Sequence, residues 1–153
     1  MKRMHLVLLA LVSAGCASQQ ANRGAEPPAA STAQASTGTL PGCAGPGTRI
    51  ERPPDFPAAF PLPPGAVMTS EERRSGGRLI LHTLAPSDAK AVARFLEREL
   101  PAAGFRLTGG ESEPGEAEAH YEGSGYVGRW KVQDVDGCPG AVSLDVLVAP
   151  AGS

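Results

Sequence analysis

No stretch of this 153-residue chain approaches the roughly 20 consecutive apolar residues that a membrane-spanning helix needs. Positive charge is not in excess either: 14 Lys and Arg stand against 16 Asp and Glu, a formal net charge of −2. A nucleic-acid partner wants a basic face, and this balance argues against one. Histidine and cysteine are scarce, three of each. His5, His82 and His120 make no HxH or HExxH pair, and the cysteines make no CxxC, so a metal centre has no sequence signature. Ser124 lies in Gly123-Ser124-Gly125 and not in a GxSxG elbow, and no glycine cluster carries the Lys and Ser/Thr of a phosphate loop. The expectation is therefore no cofactor, no metal and no catalysis. A hydrolase would need Ser124, His82 or His120 and a carboxylate to converge in the fold.

What the chain does have begins at its first residue. Lys2 and Arg3 precede the apolar run Leu6 to Val12, then come the small residues Ser13-Ala14-Gly15, then Cys16. A positive start, a short apolar stretch and small residues before a cut make an export signal. Leu11-Val12-Ser13-Ala14-Gly15-Cys16 resembles the end of a bacterial lipoprotein signal, with Ser13 where Leu or Val is usual and Val12 one place away. The resemblance covers only the leader. It implies that Cys16 becomes the new amino terminus, carrying a diacylglycerol and a further acyl chain such as palmitate. Several chains together anchor firmly where one anchors only marginally. Ala17, rather than Asp, follows the cysteine, which implies the periplasmic face of the outer membrane in a Gram-negative cell envelope. Ordinary signal cleavage, with Cys16 incidental, is the alternative. Loss of Lys2 and Arg3 with the leader takes the net charge from −2 to about −4.

Residues 16–48 read as the lipidated amino terminus and a flexible linker: Ala, Ser, Thr, Gln, Gly and Pro, with Leu40 the one large apolar residue. Such a composition cannot bury enough apolar surface to offset its ordering entropy. A coil of this length averages on the order of 30 Å end to end. With Cys16 given to lipid, Cys43 and Cys138 remain as one pair in an oxidising compartment, and a disulfide is the natural reading. Both lie in glycine- and proline-rich turns. A metal or redox pair is the alternative.

Residues 49–150 read as a single α+β domain, followed by the tail 151–153. Proline fixes φ and denies helix to the stretch around Phe56 and Phe60, an extended lead-in whose apolar side chains are available to pack. Ala66 to Arg74 and Arg78 to Leu84 form a hairpin around Ser75-Gly76-Gly77, with Leu79, Leu81 and Thr83 on one side of the pleat. Ser87 is the expected N-cap of a helix from Asp88 to about Ala103, with an apolar stripe of Val92, Phe95, Leu96, Leu100 and Ala103. Short strands are expected at Phe105–Thr108 and Ala119–Gly123 around a Gly- and Glu-rich turn, 109–118. Two alternating strands follow, Tyr126–Val135 and 142–148, around the Asp136-Gly137 turn. The order β-β-α-β-β-β-β gives a mainly antiparallel sheet with one helix packed on one face. The plan resembles a broad group of small exported bacterial domains without assigned role. They share an opening like Pro61-Leu62-Pro63-Pro64-Gly65-Ala66 and a helix end like Leu100-Pro101-Ala102-Ala103-Gly104-Phe105. That resemblance spans about Phe60 to Val148; it implies a fold and carries no catalytic residue.

Tyr126 and Trp130 fall on one side of their strand. Under the helix they are core; on the open face they make an aromatic patch for a peptide, glycan or protein partner, with Arg129 beside them and His120 and Tyr121 at its border. The candidate binding residues are therefore Tyr126, Arg129 and Trp130. Glu111, Glu113, Glu116, Glu118 and Glu122 read as a solvated acidic loop, and Asp134-Val135-Asp136-Gly137 as a turn rather than a calcium loop. The functional expectation is a membrane-anchored envelope lipoprotein with a non-catalytic interaction domain that meets an envelope protein or small ligand. A carrier of an apolar ligand held between helix and sheet by Phe95, Leu96 and Trp130 is the alternative.

Overall fold

The computed structural model describes residues 39–45 and 48–152. The leader, Cys16 and residues 17–38 of the linker lie outside the described residues. A turn at Ser75-Gly76-Gly77, with both glycines at positive φ, joins β1 (Val67–Arg74) and β2 (Arg78–Ala85) into a hairpin. The helix α1 (Ala89–Ala102) then carries the chain across the sheet to β3 (Phe105–Glu113) at the opposite edge. From there β4 (Glu116–Gly123), β5 (Tyr126–Asp134) and β6 (Val142–Pro150) return as a meander, and β6 settles beside β2. The result is one six-stranded sheet, β1-β2-β6-β5-β4-β3, with every neighbouring pair antiparallel. It is the α+β arrangement that the element order predicts.

One face of the sheet is the core. Leu79, Leu81, Thr83 and Ala85 of β2 alternate inward, matched by Val142, Leu144, Val146 and Val148 of β6. The Thr83 hydroxyl is tolerated there because it donates to the Leu144 carbonyl at 2.9 Å. On the other half, Ala89, Val92, Ala93, Leu96 and Leu100 of α1 lie buried on the side that meets β3, β4 and β5. Phe56 and Phe60 of the lead-in join the same cluster, and Phe60 stacks at 5.8 Å and 5.2 Å from Phe105 and Tyr121. Arg52 holds this lead-in in place. Its guanidinium donates to the Pro57 and Phe60 carbonyls and lies 5.1 Å from the Phe56 ring, and partial burial lowers its pKa.

The structure corrects two local expectations. The helix is capped by Asp88, not Ser87: the Asp88 carboxylate accepts from Ala91 N at 2.8 Å. A second carboxylate, Asp134 at the end of β5, accepts from Ala89 N at 2.8 Å, so this residue serves the helix start and not a calcium loop. Residues 109–118 are not a broad turn. β3 and β4 pair from Phe105↔Gly123 to Glu113↔Glu116, and only Pro114-Gly115 turns. A proline followed by a glycine at φ 79° is what a two-residue turn of this kind asks for.

Cys43 and Cys138 are joined by a disulfide, Cα–Cα 5.4 Å, across 95 residues of sequence. It ties a single 3₁₀ turn, Gly42–Ala44, to the loop between β5 and β6. Cys43 falls in the stretch whose composition reads as linker; the covalent bond, rather than buried apolar surface, attaches it to the domain.

Candidate functional site

The sheet face away from α1 carries rows of polar side chains set by the register. One row runs Ser70, His82, Asp145, Lys131, Glu118, Glu111 from β1 to β3. His82 Nδ1 and Asp145 Oδ1 are 2.7 Å apart. Lys131 Nζ lies 2.9 Å from Glu116, and Arg129 Nη1 lies 3.3 Å from Glu118. The Lys131 ammonium and the Gln133 amide hold the Glu116 carboxyl below its usual value, against a desolvation effect of opposite sign. Arg106 pairs with Glu122. The acids of β4 thus each meet a cation, and the expectation of one free acidic loop is replaced by a cross-strand lattice.

The candidate residues Tyr126, Arg129 and Trp130 do not form one patch. Trp130 is 1 % exposed, packed on the core side with Val132 and Ala119. It is therefore removed from the expected aromatic patch with Tyr126 and Arg129. Tyr126, on the same side of the pleat, is half-buried at the rim of the core, and Arg129 is exposed on the opposite face. Of the two bordering residues, His120 is exposed beside Arg129, while Tyr121 is core. Tyr121 faces Gly128, the one position on β5 that offers no side chain, and its hydroxyl reaches the Leu147 carbonyl at 3.0 Å. A Cβ at Gly128 would stand 2.6 Å from the tyrosine ring and hydroxyl, so glycine is required for that close approach. Burial pushes the Tyr121 phenol pKa up.

Concave surface is found at three places that matter. The largest, about 780 Å³, lies where the end of α1 meets the starts of β3 and β5, lined by Pro101, Phe105, Leu107, Glu122, Tyr126 and Val127. A smaller hollow of about 500 Å³ on the open face shares Glu122 and Val127 and adds His120, Arg129, Leu147 and Ala149. Val127, 40 % exposed, is the one large apolar side chain exposed among the described residues, and it stands between the two. The third, about 310 Å³, runs behind β3 past Gly110, Glu111 and Ala119 and includes Trp130.

The pieces a hydrolase would need are not gathered. Ser124 occupies the two-residue β4–β5 turn at φ 51°, the left-handed geometry this hairpin turn demands, and its hydroxyl has no hydrogen-bond partner among the described residues. His82 and His120 are on strands separated by β6 and β5, on the order of 14 Å apart at the strand spacing. Ser70, His82 and Asp145 do share a row, an order that sequence reading missed, yet among the described residues no hydrogen bond joins Ser70 to His82. No group of three or more His, Cys, Asp or Glu suited to a metal ion occurs among the described residues. Between helix and sheet, Leu96 and Trp130 are fully buried, and Phe95 is half-buried with the Arg98 guanidinium 5.8 Å from its ring. Among the described residues no helix is long and apolar enough to cross a membrane. No protein-family model, curated protein or solved structure matches the chain.

Proposed function

We propose that this chain is a lipid-anchored lipoprotein of the bacterial cell envelope whose folded domain is a non-catalytic binding module. The Cys43–Cys138 disulfide is the observation that carries the reading. Such bridges persist in oxidising compartments, outside the cytosol, and this one leaves Cys16 as the single cysteine for a lipid. The binding surface is the 780 Å³ cleft and its Val127 rim, continued by the hollow beside Arg129. Its place in the domain supports this. The bridge enters at the loop that follows β5, whereas Tyr126 and Val127 begin β5, nine residues or about 30 Å away along the strand. A tether joined at the disulfide end leaves the cleft end of the domain free of it.

Two measurements test the two halves of the reading. Metabolic labelling with palmitate should mark the wild type and not Cys16→Ala, which should also move from the membrane to the soluble fraction. An unlabelled wild type would end the lipoprotein reading. Crosslinking and affinity capture from native envelopes should then recover partners whose yield falls at least tenfold with Val127→Asp. Unchanged capture would remove the cleft as the binding surface.

A further inference from the structure

The sheet has an edge that nothing in the described chain covers. β3 has β4 as its only neighbour, so one row of its backbone N–H and C=O groups has no strand to bond. The outer part of the strand, Gly109-Gly110-Glu111-Ser112-Glu113, is exposed at every residue. Two glycines leave its backbone open from the side. A bulge between Leu107 and Gly109 separates this stretch from the part held by α1.

Charge distinguishes this edge from the strand beside it. Glu116, Glu118 and Glu122 of β4 are matched by Lys131, Arg129 and Arg106. Glu111 and Glu113 of β3, and Glu97 across the groove on α1, have no ion-pair partner among the described residues. Behind the edge lies the 310 Å³ groove, and Trp130 is part of its lining. Trp130 Nε1 is the one buried side-chain polar atom without a hydrogen-bond partner among the described residues. Native interiors leave few such groups unmatched, so a donor stranded beside a groove marks a place where an acceptor is missing.

We propose that the outer half of β3 is a strand-addition site for an extended, lysine- or arginine-bearing segment of a partner protein. The added backbone bonds to the free edge. Its basic side chains meet Glu111 and Glu113 on the open face, and the alternate side chains enter the groove between Glu97 and the Trp130 indole. A second copy of this chain is the wrong occupant. Antiparallel pairing of two β3 strands centred on Ser112 sets Glu111 of each against Glu113 of the other, and like charges directly opposite are destabilising. The proposal rests on the binding-module reading but uses a different surface.

Trp130 is the only tryptophan in the chain, so its emission is a built-in reporter. The probe is a synthetic peptide of alternating lysine and valine, titrated into the disulfide-intact protein. The expected result is a saturable change in Trp130 emission, with slowed amide exchange at 109–113. Glu111→Lys with Glu113→Lys should weaken it by about tenfold or more and let the glutamate–valine peptide bind instead. A lysine–valine peptide N-methylated at alternate residues, which keeps its charge and loses its edge bonds, should not bind. Equal binding of the methylated peptide, or no slowing of exchange, overturns strand addition. So does dimerisation through β3 in place of peptide binding. Partner capture that is lost with Val127→Asp but unaffected by the β3 charge reversal leaves the binding module standing and sinks this site alone.

Discussion

The two outer strands of the sheet meet solvent in different ways. β1 is sealed. The lead-in runs against it, with Ile50 N donating to the Met68 carbonyl, and Arg73 bridges back to Asp55 of the lead-in and to Glu71, which raises its pKa. Arg74 pairs with Glu72, so the strand's own charges are matched. β3 has no covering segment among the described residues, two glycines where side chains would shield the backbone, and acids without partners. Both edges carry a bulge, at Met68/Ser70 and at Leu107/Gly109, so the bulge is not what separates them. What separates them is how pairing with another strand is prevented: β1 by occupation, β3 by charge of one sign. Occupation blocks pairing where the lead-in lies, at Met68. Negative charge refuses the chain's own copies and leaves a basic strand admissible.

The comparison can be broken most forcefully from the sealed side. Phe60 is the lead-in's deepest anchor, 1 % exposed and in ring contact with Phe56, Phe105 and Tyr121. Phe60→Ala should cost about 3–5 kcal/mol in a urea titration, by lost burial and the cavity left behind. In hydrogen exchange, β1 should then open before β4 does. If β1 keeps its protection while stability falls, the lead-in is not its seal.

A smaller effect sharpens the same region through pH. The Tyr121 phenol, beneath Phe60, has its pKa raised by burial above the ordinary value near 10. A raised folded pKa means that the unfolded chain ionises first. The contribution is therefore intact below about pH 10 and falls by about 1.4 kcal/mol for each pH unit above it. Tyr121→Phe should lose this slope, while starting about 0.5–1.5 kcal/mol lower for want of the bond to Leu147. Urea midpoints at pH 9 and pH 11 decide it, and equal slopes in the two proteins would place the alkaline sensitivity elsewhere.

The smallest change in stability should come from the open edge. Glu111→Ala with Glu113→Ala touches exposed positions and should alter stability by no more than about 0.5 kcal/mol. Its effect should appear in sedimentation as concentration-dependent self-association, since the repulsion is gone. A strictly monomeric double variant would show that something other than charge guards β3.

How much of this was legible in the residues depends on whether the signal is local. Leu79-Leu81-Thr83 and Val142-Leu144-Val146-Val148 alternate plainly, and the helical stripe through Val92, Leu96 and Leu100 needs no partner to be recognised. The outer half of β3 was hidden because Gly109-Gly110-Glu111 has little strand preference of its own; pairing with β4 imposes the conformation. Period two puts Tyr126 and Trp130 on one side of β5 but cannot say which side the helix covers. His82 and Asp145 are 63 residues apart, and they meet only because β6 returns between β2 and β5. Ser87 and Asp88 are both good caps, and only the backbone geometry at Asp88 chooses between them.

The sulfur bridge also has a mechanical meaning. Every residue between Cys43 and Cys138 lies inside one covalent ring, and the lead-in, α1 and β1 through β5 are all within it. A pull on the chain at residue 39 enters the bridge and passes directly to the loop joining the two central strands β5 and β6. The segment from 48 to 66 lies off that direct route. A load applied at residue 39 thus reaches the middle of the sheet before it reaches the β1 edge.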